Sequence, residues 1–151
     1  MMRFIVLDSS PLSLLTQRQG VTVADDCKRW LSAHTARGVS VIIPEIVDYE
    51  LRRELLRLER SASISRLDRL LVHTTTHYEP LNTRAMRLAA VMWADSRRLG
   101  APTADRHALD IDVILAAQIL SAGFDPAECV VATSNVSHLT QFLPARDWRN
   151  I

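Results

Sequence analysis

Phe4-Ile5-Val6-Leu7-Asp8-Ser9-Ser10-Pro11 is the stretch that decides the fold. A short apolar, β-branched run of this kind reads as a strand covered on both faces. Asp8-Ser9-Ser10 stops it, and Pro11 suits the first turn of a helix capped by Ser9 or Ser10. The strand thus hands an aspartate to its carboxyl end and turns directly into a helix. The same alternation repeats downstream. A helix over residues 24–37 ends at Gly38, where a C-terminal glycine is expected. Residues 39–43 form a second buried strand, and Pro44 opens a helix with Val47, Leu51, Leu55 and Leu58 on one stripe. A break at Ser61-Ala62-Ser63 precedes a short helix over 64–70. A strand over 71–75, a long helix over 83–99 and a loop at Gly100-Ala101-Pro102 follow. Next come a very apolar helix over 110–122, a strand over 129–133 and a last short strand within 145–148. Buried strands alternating with amphipathic helices predict a three-layer α/β/α sandwich with a mainly parallel sheet, as one domain spanning residues 1–151.

Composition narrows the function classes. The 151 residues are 48% hydrophobic and 23% charged, with a net charge of +1, which describes an ordinary globular chain. Cys27 and Cys129 are far apart and form no Cys-x-x-Cys, so neither a disulfide framework nor a zinc knuckle is expected. The longest apolar run is broken at Gln118, well short of the roughly 20 residues of a membrane span. The apolar run before Asp8 is also too short for a signal-peptide core. A cytoplasmic, reducing setting with no membrane partner is the expectation.

Charge is unevenly spread. Residues 51–106 hold eleven Arg and six acids, against a net −1 before them and −3 after them. Of the eighteen basic residues only Lys28 is not Arg. The planar guanidinium fork suits phosphate, with Arg52, Arg53 and Arg57 the first candidates for contacts to a nucleic acid. The same arginines, with Arg60 and Arg66, also fit a solvated helix face.

In open parallel sheets, ligands collect at the carboxyl ends of the strands. Asp8 follows the first strand and Asn135 follows the strand ending at Thr133. Glu50 lies in the second turn of the helix that leaves the second strand, in a phase that lets it point over the sheet's end. Asp112 is expected to open the apolar helix Val113-Ile114-Leu115-Ala116-Ala117, with Asp110 as an alternative donor. Taken singly, each is equally well a helix cap, half of an ion pair or a favourable charge at a helix N-terminus. Taken together they favour a metal site. Converging carboxylates repel unless a cation neutralises them, and all-oxygen donor sets suit Mg²⁺ or Mn²⁺. Such ions serve phosphodiester cleavage.

Rival motifs are weaker. His73 and His77 have a zinc-like spacing, but a strand or loop through Thr74-Thr75-Thr76 would part them by about 13 Å. His138 lies close to Asn135 and is a candidate for touching substrate. With four glycines, there is no P-loop or dinucleotide fingerprint. A haloacid-dehalogenase-type phosphatase would need an aspartate where Ser10 stands, and a response-regulator receiver would need a lysine late in the chain. Trp93, with Met86, Leu88 and Val91, marks a bulky helix face that suits either core or a dimer surface.

Four segments in order resemble the PIN domain family, and within it the VapC-type toxin ribonucleases. They are Phe4-Ile5-Val6-Leu7-Asp8-Ser9-Ser10, Ile43-Pro44-Glu45-Ile46-Val47 with Glu50-Leu51-Arg52, Asp112-Val113-Ile114-Leu115-Ala116-Ala117, and Val130-Val131-Ala132-Thr133-Ser134-Asn135 with His138-Leu139 and Phe142. The resemblance implies an Mg²⁺- or Mn²⁺-dependent endoribonuclease acting on RNA, as the toxin of a toxin–antitoxin pair. It implies Asp8, Glu50 and Asp112 as metal ligands, and Asn135 in the family's fourth position holding the metal or its water. Thr133 and Ser9 would support the site. An antitoxin protein and a homodimer are the expected protein partners. Ser10 stands where the family commonly has Asn, Ser134 where it has Arg, and Asn135 carries no charge. The alternatives are a PIN-like RNA-binding protein with little or no catalysis and a metal-dependent phosphatase of small phosphoesters.

Overall fold

A computed structural model describes residues 1–100 and 106–151. Five strands form one sheet: β1 (Phe4–Leu7), β2 (Ser40–Pro44), β3 (Thr76–Glu79), β4 (Cys129–Ala132) and β5 (Ala145–Arg146). Their order is β3-β2-β1-β4-β5, and every pair is parallel. The expected parallel α/β architecture is therefore present. The chain lays β2 and β3 on one side of β1, then crosses back to lay β4 and β5 on the other. Right-handed crossovers then place the helices of the first half on one face of the sheet and those of the second half on the opposite face. The reversal of strand order falls between β1 and β4, and a crevice opens at such a point beyond the strands' carboxyl ends.

The strands at the centre of the sheet are apolar because both of their faces are covered. Ile5, Val6, Leu7, Val41, Ile42, Ile43, Val131 and Ala132 are all buried. β3 is an edge strand with the polar sequence Thr-His-Tyr-Glu and no fully buried residue. It lies at residues 76–79 rather than at the expected 71–75. Leu71 belongs to the preceding helix, whose amphipathic stripe outweighs the local β-branched run.

Helix α1 (Ser9–Leu15) starts immediately after β1. Its cap is Asp8, whose side chain accepts from the Ser9 amide, rather than Ser9 or Ser10. Helix α2 (Thr22–Ala36) ends before Gly38, which takes φ +89° and donates its amide to the Thr35 carbonyl. Helix α3 (Glu45–Arg57) leaves β2 directly, burying Ile46, Val47, Leu51 and Leu55. The expected break comes earlier than Ser61-Ala62-Ser63, which instead begin helix α4 (Ser61–Leu71). Glu59 makes the turn between the two helices at φ 55°. Helix α5 (Thr83–Arg98) is capped by Asn82, whose side chain accepts from the Ala85 amide. The loop expected at residues 100–102 falls, beyond Gly100, outside the described residues. Helix α6 (Arg106–Ser121) begins one turn before the expected start. Asp112 therefore lies in its second turn rather than opening it. Helix α7 (Val136–Leu139) is a single turn between β4 and β5. Trp148, expected at the end of the last strand, sits in a 3-10 turn and packs its ring 5.7 Å from that of Trp30.

α6 is the hub of the second face. Its residues Ile111, Leu115, Ala116 and Ile119 join the main core with the sheet, while Leu109, Val113 and Ala117 pack with Ala89 of α5. A helix buried on both sides has to be apolar nearly all round. Asp112 and Gln118 are its buried polar residues among those described, and Gln118 is almost completely enclosed. Its amide nitrogen donates to the Glu79 carbonyl at 2.8 Å, and its oxygen accepts from the Ile46 amide at 3.1 Å. One side chain thus ties α6 to the end of β3 and to the first turn of α3. No helix among the described residues is long and apolar enough to cross a membrane.

Candidate active site

Asp8, Asp112 and Asn135 come from three separate segments and are linked through Thr133 at the carboxyl ends of β1 and β4, while Glu50, on α3, is near enough for its charge to act on Asp112. Leu7 pairs with Ala132 in the sheet, and the Asp8 amide donates to the Ala132 carbonyl at 3.0 Å. The next residue on each strand, Asp8 and Thr133, therefore emerges beside the other. Asp8 is 6% exposed, and both its oxygens are engaged. Oδ1 accepts from the Ser9 amide at 2.8 Å, and Oδ2 accepts from the Thr133 hydroxyl at 2.6 Å.

The chain of bonds continues through Thr133. Its Oγ1 accepts from the Asn135 amide at 2.8 Å, and the Asn135 side-chain Nδ2 donates to Asp112 Oδ2 at 3.1 Å. Across the same crevice the Ser134 amide donates to Ser10 Oγ at 3.0 Å. Ser9 and Thr133 thus support Asp8 through hydrogen bonds, and Ser10 and Ser134 bind each other. Asp112 is 4% exposed, whereas Asp110 faces solvent, so the helix phase turns Asp112 and not Asp110 toward the crevice. Glu50 is half-buried.

Asp8 and Glu50 both act on Asp112 through their charges. Asp112 is pushed up to about 7, first by burial and then by the charges of Asp8 and Glu50. Burial also raises Asp8, against the opposing pull of its bonds from Thr133 and Ser9. Among the described residues no Arg, Lys or His forms an ion pair with any of the three. The donor chemistry therefore suits a hard divalent cation, all oxygen and rich in uncompensated negative charge. A preformed cage is a different matter. Among the described residues no three His, Cys, Asp or Glu side chains converge closely enough to enclose an ion. The zinc spacing of His73 and His77 likewise yields no cluster: His73 bonds Thr75, and His77 bonds Glu79 at 2.7 Å.

Two features escaped the sequence reading. Asp48, one turn before Arg52, is 9% exposed and accepts from the Tyr78 hydroxyl and Arg52 Nε, both at 3.0 Å. Gln118 was legible only as an interruption of an apolar run. A lone polar residue inside an otherwise apolar helix is the signal for such a buried bridge. His138 lies on α7 next to the site, with its Nδ1 buried and without a partner among the described residues.

Comparison with known proteins bears on the fold. No family model and no curated protein matches the sequence. Solved structures do match over nearly the whole chain. One chain of the VapBC2 structure from Rickettsia felis, bound to a promoter DNA fragment, superposes with a TM-score of 0.70 at 14% identity, covering 96% of this chain and 98% of that one. The fold is PIN-like. VapBC-1 from nontypeable Haemophilus influenzae gives 0.62 at 16% identity, covering 97% and 98%. DNA-bound VapBC from Salmonella typhimurium gives 0.55 at 19%, covering 98% and 99%. Three of the four segments that carry the sequence resemblance are joined by hydrogen bonds at the carboxyl ends of β1 and β4.

Proposed function

We propose that this chain is a divalent-metal-dependent endoribonuclease and the toxin member of a toxin–antitoxin pair, with Mg²⁺ or Mn²⁺ held by Asp8, Glu50 and Asp112. The observation that carries this reading is the gathering of three acidic side chains, two of them buried, with no cationic partner. Burying negative charge without compensation is costly, so it is retained where a ligand supplies the opposite charge. The VapBC neighbours support the toxin–antitoxin part, because a chain of this fold occurs there in VapBC complexes.

The residues divide the work. Asp8 is fixed by Ser9 and Thr133, so its carboxylate is oriented before any ligand arrives. Asn135 holds Asp112 by one oxygen, and the other accepts no hydrogen bond among the described residues. Glu50, half-buried on α3, would supply the third carboxylate. A bound divalent ion would activate a water and stabilise charge on the phosphodiester being cleaved. Titrating the purified protein with Mn²⁺ while following melting temperature and RNA cleavage tests the reading. Cleavage should require the ion and vanish in Asp112→Asn. Cleavage that survives Asp112→Asn would remove Asp112 from the site.

A second reading has its own observation. Asn135 places a neutral amide against Asp112, and no ready-made cage exists among the described residues. A PIN-like RNA-binding protein without catalysis would bind RNA equally with and without Mn²⁺ and would show no metal-dependent cleavage.

A further inference from the structure

The arginines first singled out for phosphate are already engaged, whereas three others around one cleft form no ion pair among the described residues. Arg52 is held by Asp48 and Asp68, Arg57 is held by Glu54, and Arg53 lies over the Tyr49 ring. Those first candidates for phosphate contacts already have partners. Arg18, Arg60 and Arg66 make no ion pair among the described residues. All three line one cleft of about 460 Å³, formed where the end of α1 and the following loop meet the end of α3 and the start of α4. No acidic residue lines it.

The cleft is organised rather than merely basic. Arg66 Nε donates to the Thr16 carbonyl at 2.6 Å, and one of its terminal nitrogens reaches Ser63 Oγ at 3.4 Å, which pins the guanidinium in place. A pinned guanidinium loses less freedom on binding an anion than a free one. Leu55 and Leu58 add an apolar wall. The position relates the cleft to the acidic crevice. Asp8 caps the start of α1 and Glu50 lies midway along α3, and both helices run from there to the cleft. Leu58 is eight residues beyond Glu50, about 12 Å along the helix.

We propose that this cleft binds a backbone phosphate of the same RNA strand that lies over Asp8, Glu50 and Asp112. The proposal rests on the ribonuclease reading. Three guanidinium groups without a carboxylate partner among the described residues can take an anion together, and a tetrahedral phosphate offers oxygens to several forks at once. The apolar wall suits the ribose or base attached to it. Such a contact fixes the register of the strand without reading its sequence.

The test measures binding of a short single-stranded RNA in EDTA, over a range of salt, for wild type and the double variant R18Q/R60Q. These two arginines are exposed, so the variant should melt with wild type. If it melts lower, the single variants R18Q and R60Q are measured instead, and at least one of them should show the same change. Binding should weaken roughly tenfold at low salt, as expected for loss of charge-assisted bonds. The slope of log K against log salt should fall by about 0.7, the value for one phosphate on a single strand. Unchanged affinity and slope in R18Q/R60Q, with wild type binding RNA, would overturn the cleft proposal and leave the ribonuclease reading standing. Wild type that binds no RNA in EDTA would overturn the cleft proposal, and the ribonuclease reading is then decided separately by the Mn²⁺-dependent cleavage assay. A polyglutamate peptide that binds wild type but not R18Q/R60Q, while RNA binding is unaltered, would assign the cleft to an acidic protein segment and also overturn the proposal.

Discussion

Thr133 donates its hydroxyl proton to Asp8 Oδ2 across 2.6 Å, joining two residues that stand 125 positions apart in the chain. The Thr133 hydroxyl oxygen in turn accepts from the Asn135 amide. A single hydroxyl therefore positions both the first acidic side chain and the loop that restrains Asp112.

Thr133→Val keeps the shape and removes the hydroxyl. It should cost about 1–3 kcal/mol, because a buried carboxylate and a backbone amide both lose a partner. That corresponds to roughly 2–4 °C in melting temperature per kcal/mol for a chain of this size. Thr133→Ser should restore most of the loss. A Thr133→Val protein that melts with wild type would mean that water replaces the hydroxyl.

Asp112 makes stability depend on pH in metal-free buffer. Its folded-state pKa of about 7 lies above the ordinary value of 3.8, so the folded protein binds the proton more tightly than the unfolded chain. The stabilising contribution is full below about pH 4 and declines as pH rises toward 7. The slope can reach about 1.4 kcal/mol per pH unit. Asp112→Asn should flatten this part of the profile and raise the melting temperature at pH 7.5. Denaturation in EDTA between pH 4 and 8 measures it, and parallel profiles for the two proteins would refute the assignment.

Asn135→Asp puts a second carboxylate against Asp112 Oδ2. Without metal the variant should melt lower than wild type through repulsion. With Mn²⁺ it should gain more stability than wild type, since the ion then neutralises a larger charge. Equal gains in both proteins would separate position 135 from the metal site.

Gln118→Leu should be costly for an exchange of similar volume. The Ile46 amide and the Glu79 carbonyl both lose their partner, at about 1–3 kcal/mol for each group left buried and unpaired. Because Gln118 ties α6 to the start of α3, the loss should also loosen the helix that carries Glu50. Amide exchange in the first turn of α3 measures this, and unaltered protection there would confine the effect to α6.

Strands and helices were legible where burial imposes a period. β1, β2, β4 and α5 lie within a residue or two of their sequence reading, since uninterrupted apolar runs and a capped amphipathic stripe leave little choice. β3 was misplaced because an edge strand needs no apolar face, and Thr-His-Tyr-Glu has none. The start of α6 was missed because the residues before Asp110 break the apolar pattern that marks the rest of the helix. At the candidate site, positions at strand ends were readable from topology alone. The link from Asn135 to Asp112 was not, since it depends on the rotation of α6 and the path of a loop. Nor could sequence tell which arginines are already paired, because Asp68 reaches Arg52 from another helix.

The seating of β1 between β2 and β4 has a consequence for synthesis on the ribosome. β1 can pair with β2 early, but its other edge stays bare until residues 129–132 have been made. At bacterial or eukaryotic elongation rates that delay is on the order of ten seconds. Throughout it Asp8 lacks Thr133, and the crevice has only one wall. If the protein cleaves RNA, the nascent chain beside the ribosome's own RNA is inert by construction, and its activity begins only after the fourth strand has been delivered.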